Sequence, residues 1–325
     1  MSPVFFSVII PLHNKAPYIA AAVTSVLRQT WQELELIIVD DASTDNSLEI
    51  CKQFTDKRIS IYQRNLPGPG GYAARNYGMQ KAQGKWIAFL DADDQWMPDH
   101  LQKMVALAQA HPDAYFLGCG WMIAADNTEY PDPYSQCSRR DKNSCISLAA
   151  YLRLVIRECR PVHTSVACVR KDSPTCNNLF PANTGAKRGG DLYAWIKILS
   201  VHKWMAWSPH VGAKYQASIP GQVIKSAPST TELMSRGKFR ELTKGCSLFE
   251  RIMVAKYMNH RLITGWLGNE KRGKNNYCLP VHLYWWAEPV YCLLTTAVSI
   301  APARRTVQKR KLLKYLSGLF HGRCQ

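Results

Sequence analysis

The residues of this chain best suited to chemistry stand directly after apolar runs. Asp91-Ala92-Asp93-Asp94 follows Trp86 to Leu90, so Asp91 and Asp93 lie two apart on a short turn. Paired carboxylates of this kind suit Mg2+ or Mn2+, which take one or two protein oxygens and complete their octahedron with water and substrate phosphates. Asp40-Asp41-Ala42-Ser43 follows Leu36-Ile37-Ile38-Val39, and Pro11-Leu12-His13-Asn14 follows Ser7-Val8-Ile9-Ile10. Like charges gathered at neighbouring strand ends repel and resist desolvation, so a cation or a hydrogen-bonding ligand is expected to compensate them. A diphosphate is the natural guest, and Arg75 offers it a fixed guanidinium fork. Asp191, in Gly189-Gly190-Asp191-Leu192-Tyr193-Ala194-Trp195, is a carboxylate at a helix start. There it can act as a general base on a bound hydroxyl or simply cap the helix.

These residues need a framework that brings distant stretches together. From Phe5 to about Leu117 short apolar runs alternate with helix-period segments, the habit of βαβ units and a mostly parallel sheet. Strands are expected at 6–11, 36–39, 59–62, 86–90 and 114–123. Ile19, Val23, Val26 and Leu27 mark the apolar face of a first helix, and Ser43 is placed to cap a second through Phe54. Tyr72 to Ala82 forms a third helix and Pro98 opens a fourth through Ala110. Ligands of open α/β sheets collect beyond the carboxyl ends of the strands, where the acidic clusters fall. The loop Pro67-Gly68-Pro69-Gly70-Gly71 fits neither G-x-G-x-x-G in its strand-to-helix setting nor a P-loop, and reads as a flexible entry that lets Arg75 approach its ligand. After Ile123 the rhythm breaks into a polar stretch, Asp126 to Asn143. Mixed elements follow to about Ser208, and the chain turns helical from Pro228.

At 325 residues, with 46% hydrophobic and 20% charged residues, the chain excludes wholesale disorder and a polytopic membrane protein. Its net charge of +17 attracts anions of any kind. Nucleic-acid binding rests on that charge alone, with neither a groove-reading element nor an RNP pattern, and is set aside. The 11 cysteines are scattered without a C-x-x-C pair, which speaks against zinc or redox motifs and predicts reduced thiols. No secretory leader is legible at the start, so a cytoplasmic location is expected.

The segments Ser7-Val8-Ile9-Ile10-Pro11, Asn14, Ser25 to Thr30, Ile38 to Asp41, Ser43-Thr44-Asp45, Ala74-Arg75-Asn76, Ala82-x-Gly84 and Phe89 to Asp94 fall in register with one known pattern. By them the chain resembles family 2 glycosyltransferases of the GT-A fold over roughly residues 5–110. The resemblance implies an α/β, Rossmann-like, mostly parallel sheet flanked by helices, with a helical, aromatic and basic C-terminal extension. Residues 1–125 would form the nucleotide-sugar-binding half, 126–227 the acceptor-binding half and 228–325 the extension. Pro11, His13 and Asp41 would line the nucleoside pocket, with Asn14, Asp40 and Ala92 at the same strand ends completing the donor site. Arg75 would lie by the nucleotide, Asp91 near ribose or metal, and Asp93 on the metal, Mn2+ or Mg2+. Asp45 reads as a turn or cap residue. Such transferases tend to carry Gly-Glu-Asp with a Trp four residues after the Asp, which serves as catalytic base. Asp191 and Trp195 match, whereas Gly190 replaces the Glu and puts acceptor recognition in doubt.

The implied activity is inverting transfer of a sugar from a nucleotide-diphosphate donor, a UDP-sugar, to a hydroxyl of a glycan or lipid-linked glycan. A nucleotidyltransferase acting on a sugar phosphate would share crevice and metal but lacks its Gly-rich, Lys-bearing loop here. A catalytically weak glycan-binding relative would be expected to lose Asp93 or Asp191, and both are present. Residues 281–294 are rich in aromatic and aliphatic side chains, and Arg304-Arg305 and Lys309-Arg310-Lys311 follow. The uncharged stretch 289–303 would reach about 22 Å as a helix, short of a hydrocarbon core of about 30 Å. It reads either as an interfacial helix on an anionic membrane surface or as a segment packed on the catalytic domain.

Overall fold

The apolar runs of the first half pair side by side, all parallel, in the order β3-β2-β1-β4: β1 Phe6–Leu12, β2 Leu34–Asp41, β3 Ile59–Arg64 and β4 Trp86–Phe89. Val8 to Ile10 and Leu36 to Val39 are buried, as strands covered on both faces must be. The register sets Leu12 opposite Asp40 and Asp41 opposite Arg64, so the polar strand ends share one edge. The computed structural model describes residues 5–126, 128–136, 142–219, 231–271, 278–300, 311–312, 315–316 and 318.

Helices α1 (Ile19–Leu27), α2 (Ser47–Lys52) and α3 (Tyr72–Lys81) make the crossovers, and α4 (His100–Ala110) follows β5 (Gln95–Trp96). Ser43 does not cap α2. That helix begins at Ser47, whose backbone N–H and hydroxyl both donate to the Asp45 carboxylate, so Asp45 is the turn residue expected of it. Ala42 takes a left-handed φ of 57°, and beyond this bend the Ser43 hydroxyl accepts the Asn14 N–H from the β1 loop.

Beyond β4 the sheet becomes mixed rather than parallel. β9 (Cys168–Arg170) runs antiparallel between β4 and β6 (Phe116–Ala125). β10 (Trp204–Gln216) is parallel to β6 and antiparallel to β5 and β8 (Ser144–Ser147), while β7 (Thr128–Pro131) pairs with β6. Strand direction is fixed by the connections, which hydropathy does not report. Thr164–Val166, just before β9, forms a 3-10 turn.

Helix α5 (Leu148–Ile156) packs against α8 (Leu248–Lys271), and α6 (Gly190–His202) against α7 (Arg236–Leu242). Two short helices follow, α9 (Leu279–His282) and α10 (Pro289–Ile300). Leu279, Leu283, Tyr284, Tyr291 and Cys292 are buried. Tyr284 is anchored at both ends, its N–H donating to Asn259 Oδ1 (2.7 Å) and its hydroxyl to the Met234 carbonyl (3.0 Å). Much of the aromatic segment therefore packs on the domain, yet Val281, Trp286, Val290 and Leu293 remain exposed. Among the described residues no helix is long and apolar enough to cross a membrane. Arg304, Arg305, Lys309 and Arg310 lie outside the described residues, as does part of the polar stretch 126–143. The prediction of reduced thiols fails at Cys159, which is disulfide-bonded, whereas eight other cysteines are free. Spacing carries no such signal because a disulfide depends on proximity in the fold.

Candidate active site

The strand ends of the parallel half open into a cavity of about 970 Å³ whose far side is built by the second half of the chain. Pro11, His13, Asn14, Asp41, Arg75, Asp91, Ala92, Asp93 and Asp191, nine of the ten predicted site residues, line it. Asp40 does not. It is buried, and both its carboxylate oxygens accept the Ser43 N–H, closing the turn after β2.

The residues at these strand ends are tied to one another. The Asp41 carboxylate pairs with Arg64 and accepts the Gly68 N–H (2.9 Å), and its carbonyl meets His13 Nδ1 (2.8 Å). Asn14, at a φ of 51°, accepts the Thr44 N–H on Oδ1 (2.7 Å), which joins the β1 and β2 loops. Arg75 is 7% exposed; it donates to the Gly70 carbonyl (3.0 Å) and to Asp91 Oδ1 (2.5 Å), and lies 5.5 Å over the Phe180 ring. Asn76 fixes that ring's backbone through two hydrogen bonds with Phe180. The glycine loop is thus pinned by Asp41 and Arg75 instead of hanging free.

Lys15 is a residue the sequence reading missed. Its ammonium sits 2.6 Å from Asp93 Oδ2. Asp91 Oδ2 and Asp93 Oδ1 have no hydrogen-bond partner among the described residues, and both side chains line the cavity. Two hard oxygens left unpaired on a fixed turn fit a divalent cation such as Mg2+ or Mn2+. A second grouping, Asp91, Asp94 and His163, brings one possible ligand atom from each within 4.8 Å. Asp94 is the weaker donor of the two sets. Its oxygens already accept the Ser165 hydroxyl (2.5 Å) and the Gln216 N–H (3.1 Å). Burial, reinforced by the charges of Asp91 and Asp93, also raises its carboxyl well above the usual range. Burial pushes Asp91 upward too, but the charge and hydrogen bond of the Arg75 guanidinium outweigh it and hold that carboxyl below its ordinary value. Burial lowers the His163 imidazole, favouring its neutral form.

Across the cavity Asp191 occupies the first turn of α6, where the helix N-terminus favours a negative charge. Gly189 enters the helix at a φ of 80°, a conformation in which a side chain is strained. Gly190 is explained by its neighbour: its N–H donates to the Tyr72 hydroxyl (2.9 Å), and a Cβ there would collide with the Tyr72 ring. Tyr72 stacks on Phe180, with ring centroids 6.3 Å apart. The aromatic ring fills the space that a Glu at 190 would need. No pattern in the sequence links residues 72 and 190. Arg160, Lys187 and Arg261 also line this side, and nothing in their local sequence marks them as site residues.

Residues 7–159 match the family model described as Glycosyl transferase family 2. An uncharacterized glycosyltransferase of Nostoc, alr2836, is 47% identical over 107 residues, which cover 32% of each chain. The putative teichuronic acid biosynthesis glycosyltransferase TuaG of Bacillus subtilis is 38% identical over 124 residues, covering 38% of this chain and 49% of TuaG. Escherichia coli WfgD, a UDP-Glc:alpha-D-GlcNAc-diphosphoundecaprenol beta-1,3-glucosyltransferase, is 34% identical over 118 residues, 36% of this chain and 46% of that one. The chain thus aligns with less than half the length of each of these relatives. A crystal structure of S. aureus TarS 1-349 in complex with UDP-GlcNAc superposes with a TM-score of 0.68 at 19% identity, covering 98% of this chain and 89% of that one. The likeness extends the fold over the C-terminal helices as well.

Proposed function

We propose, from the match of residues 7–159 to the family 2 glycosyltransferases and from the GT-A fold, that the protein is an inverting transferase moving a sugar from a UDP-sugar to a hydroxyl of a glycan or lipid-linked glycan. The observation that carries the reading is that Asp41, Arg75, Asp91, Asp93 and Asp191, from four separate segments, line one cavity. UDP as carrier is favoured by the donor in WfgD's name and by the UDP-GlcNAc in the TarS structure; WfgD's diphosphoundecaprenol acceptor favours a lipid-linked one. Residues 1–125 supply the donor wall, 126–227 most of the acceptor wall, and the extension 228–325 adds Arg261.

Asp191 takes the proton from the acceptor hydroxyl, whose oxygen bonds to the anomeric carbon as the bond to the diphosphate breaks. One in-line displacement inverts that carbon, and the UDP leaves with the electron pair. Asp41 accepts a hydrogen bond from the base, and Arg75 holds its fork toward the departing phosphates. Bound by Asp91 and Asp93, Mg2+ or Mn2+ would neutralise diphosphate charge. Tyr72 fixes the backbone just before Asp191. The decisive assay follows UDP release from a panel of UDP-sugars with and without Mn2+. Slow metal-dependent release is expected for at least one donor, and none from any donor would sink the reading.

The location that fits is the cytoplasmic face of a membrane, with Val281, Trp286, Val290 and Leu293 meeting the interface and the basic tail meeting anionic lipid. Changing Trp286, Val290 and Leu293 to Ser should abolish flotation with anionic liposomes. Unchanged flotation would refute the membrane role.

A further inference from the structure

The acceptor side of the cavity carries positive charge that the protein leaves unmatched. Arg160, in the segment after α5, Lys187, just before α6, and Arg261, on α8, reach the cavity from three separate elements, and none forms an ion pair with a described carboxylate. Arg160 and Arg261 are half-buried. The Arg261 guanidinium lies beside Gly189, with Nη2 3.6 Å from where a Cβ would stand, two residues from Asp191. The buried Tyr257 hydroxyl, one turn before Arg261, is raised by burial and feels Arg261, Asp191 and Arg160 together, which sets all three in one neighbourhood.

Half-buried guanidinium groups without a counter-ion are costly, and a ligand anion relieves that cost. The donor's diphosphate already has Arg75 and the Asp91–Asp93 turn on the opposite wall. Asp191 is the sole carboxylate on the acceptor side among the described lining residues, and its single charge cannot balance three cations. Two guanidinium forks and an ammonium lining one cavity supply the donors and charge that the several oxygens of a phosphate require.

We infer that the acceptor carries a phosphate group, which Arg160, Lys187 and Arg261 bind while its hydroxyl lies at Asp191. The inference rests on the transferase reading and narrows its acceptor class. The phosphate can come from a diphosphate-linked lipid or from a polyol phosphate chain, and the same chemistry recognises both.

The test is calorimetry on the full chain saturated with UDP and Mn2+, so that the donor subsite is filled. Titrants are N-acetylglucosamine 1-phosphate, glycerol 3-phosphate and the neutral methyl N-acetylglucosaminide. At least one phosphate is expected to bind ten-fold or more tighter than the neutral sugar. The Arg160→Gln/Arg261→Gln double variant should lose that preference while holding UDP within two-fold of wild type. A tighter sugar phosphate points to the lipid-linked source and a tighter glycerol phosphate to the polyol source; either supports the assignment. Equal binding of charged and neutral sugars, or a preference that survives in the double variant with UDP binding intact, would overturn it. Failure of UDP itself to bind would instead overturn the transferase reading and this inference with it. Should the double variant unfold, Arg160→Lys and Arg261→Lys singly keep the charge and remove the fork, and an undiminished phosphate preference in both would count against recognition by the forks.

Discussion

Around the cavity the cations of the first 125 residues are each matched to a carboxylate of the same half, Lys15 to Asp93, Arg64 to Asp41 and Arg75 to Asp91. On the opposite wall Arg160 and Arg261 have no such partner among the described residues. A wall whose charges pair internally holds its shape before ligand arrives, and a ligand must exchange with contacts already made. A wall with unmatched cations is completed by what binds to it. The proposed donor site is accordingly built on a parallel sheet edge, whereas the proposed acceptor site is assembled from a helix start, a loop and the helix α8.

The largest effect that would test this division is at Asp191. If it serves only the acceptor wall, Asp191→Asn should lower turnover by about 10²–10⁴-fold, the usual reach of a general base, with UDP affinity within two-fold by calorimetry. Equal loss of UDP binding would erase the distinction between the walls. Next comes Asp93→Ala, the mirror experiment. It should weaken Mn2+-dependent UDP binding by about 10–100-fold, the loss typical when one charge-assisted contact goes. Binding of a sugar phosphate at the acceptor wall should be untouched.

The contact between the walls gives a third, smaller effect. Gly190→Ala drives a methyl into the Tyr72 ring, and overpacking of this kind costs about 1–3 kcal/mol. Thermal denaturation should show the loss, and combining it with Tyr72→Ala should restore most of it, a coupling that a double-mutant cycle measures. A cost at 190 that persists without the ring would mean that the two walls are not joined there.

The donor wall was far more legible in the sequence than the acceptor wall, and the reason lies in how each is built. Parallel strands buried on both faces write themselves as unbroken apolar runs, so Leu36 to Val39 locates Asp41 and Trp86 to Leu90 locates Asp91 and Asp93. Asp40 misled because adjacent residues at a strand end point to opposite sides, and only Asp41 reaches the cavity. The insertion of β9 between β4 and β6, the seating of Tyr72 against Gly190, and the approach of Arg261 to Gly189 all depend on contacts between residues more than 50 positions apart. No local periodicity encodes those. Asp191 was found through a motif, not through a pattern of burial.

Lys15 supplies the smallest and sharpest test of the idea that the donor wall is self-matched. Its ammonium occupies Asp93 Oδ2 at 2.6 Å, so a divalent ion reaching Asp93 either shares that carboxylate or displaces the lysine. The pair is partly exposed, at 22% for the lysine side chain and 15% for the aspartate, and such pairs are worth roughly 1 kcal/mol or less once solvent screening is included. Lys15→Met keeps the length and apolar body of the side chain and removes the charge. Mn2+ affinity, read by electron paramagnetic resonance without any donor present, should rise by a few-fold, and the gain should shrink as salt is added. If the lysine instead helps to hold the diphosphate, the same variant would bind UDP more weakly in the absence of metal. A rise in metal affinity with UDP binding unchanged would show that the cation on this wall balances the protein's own charge, as its partners Arg64 and Arg75 do at Asp41 and Asp91.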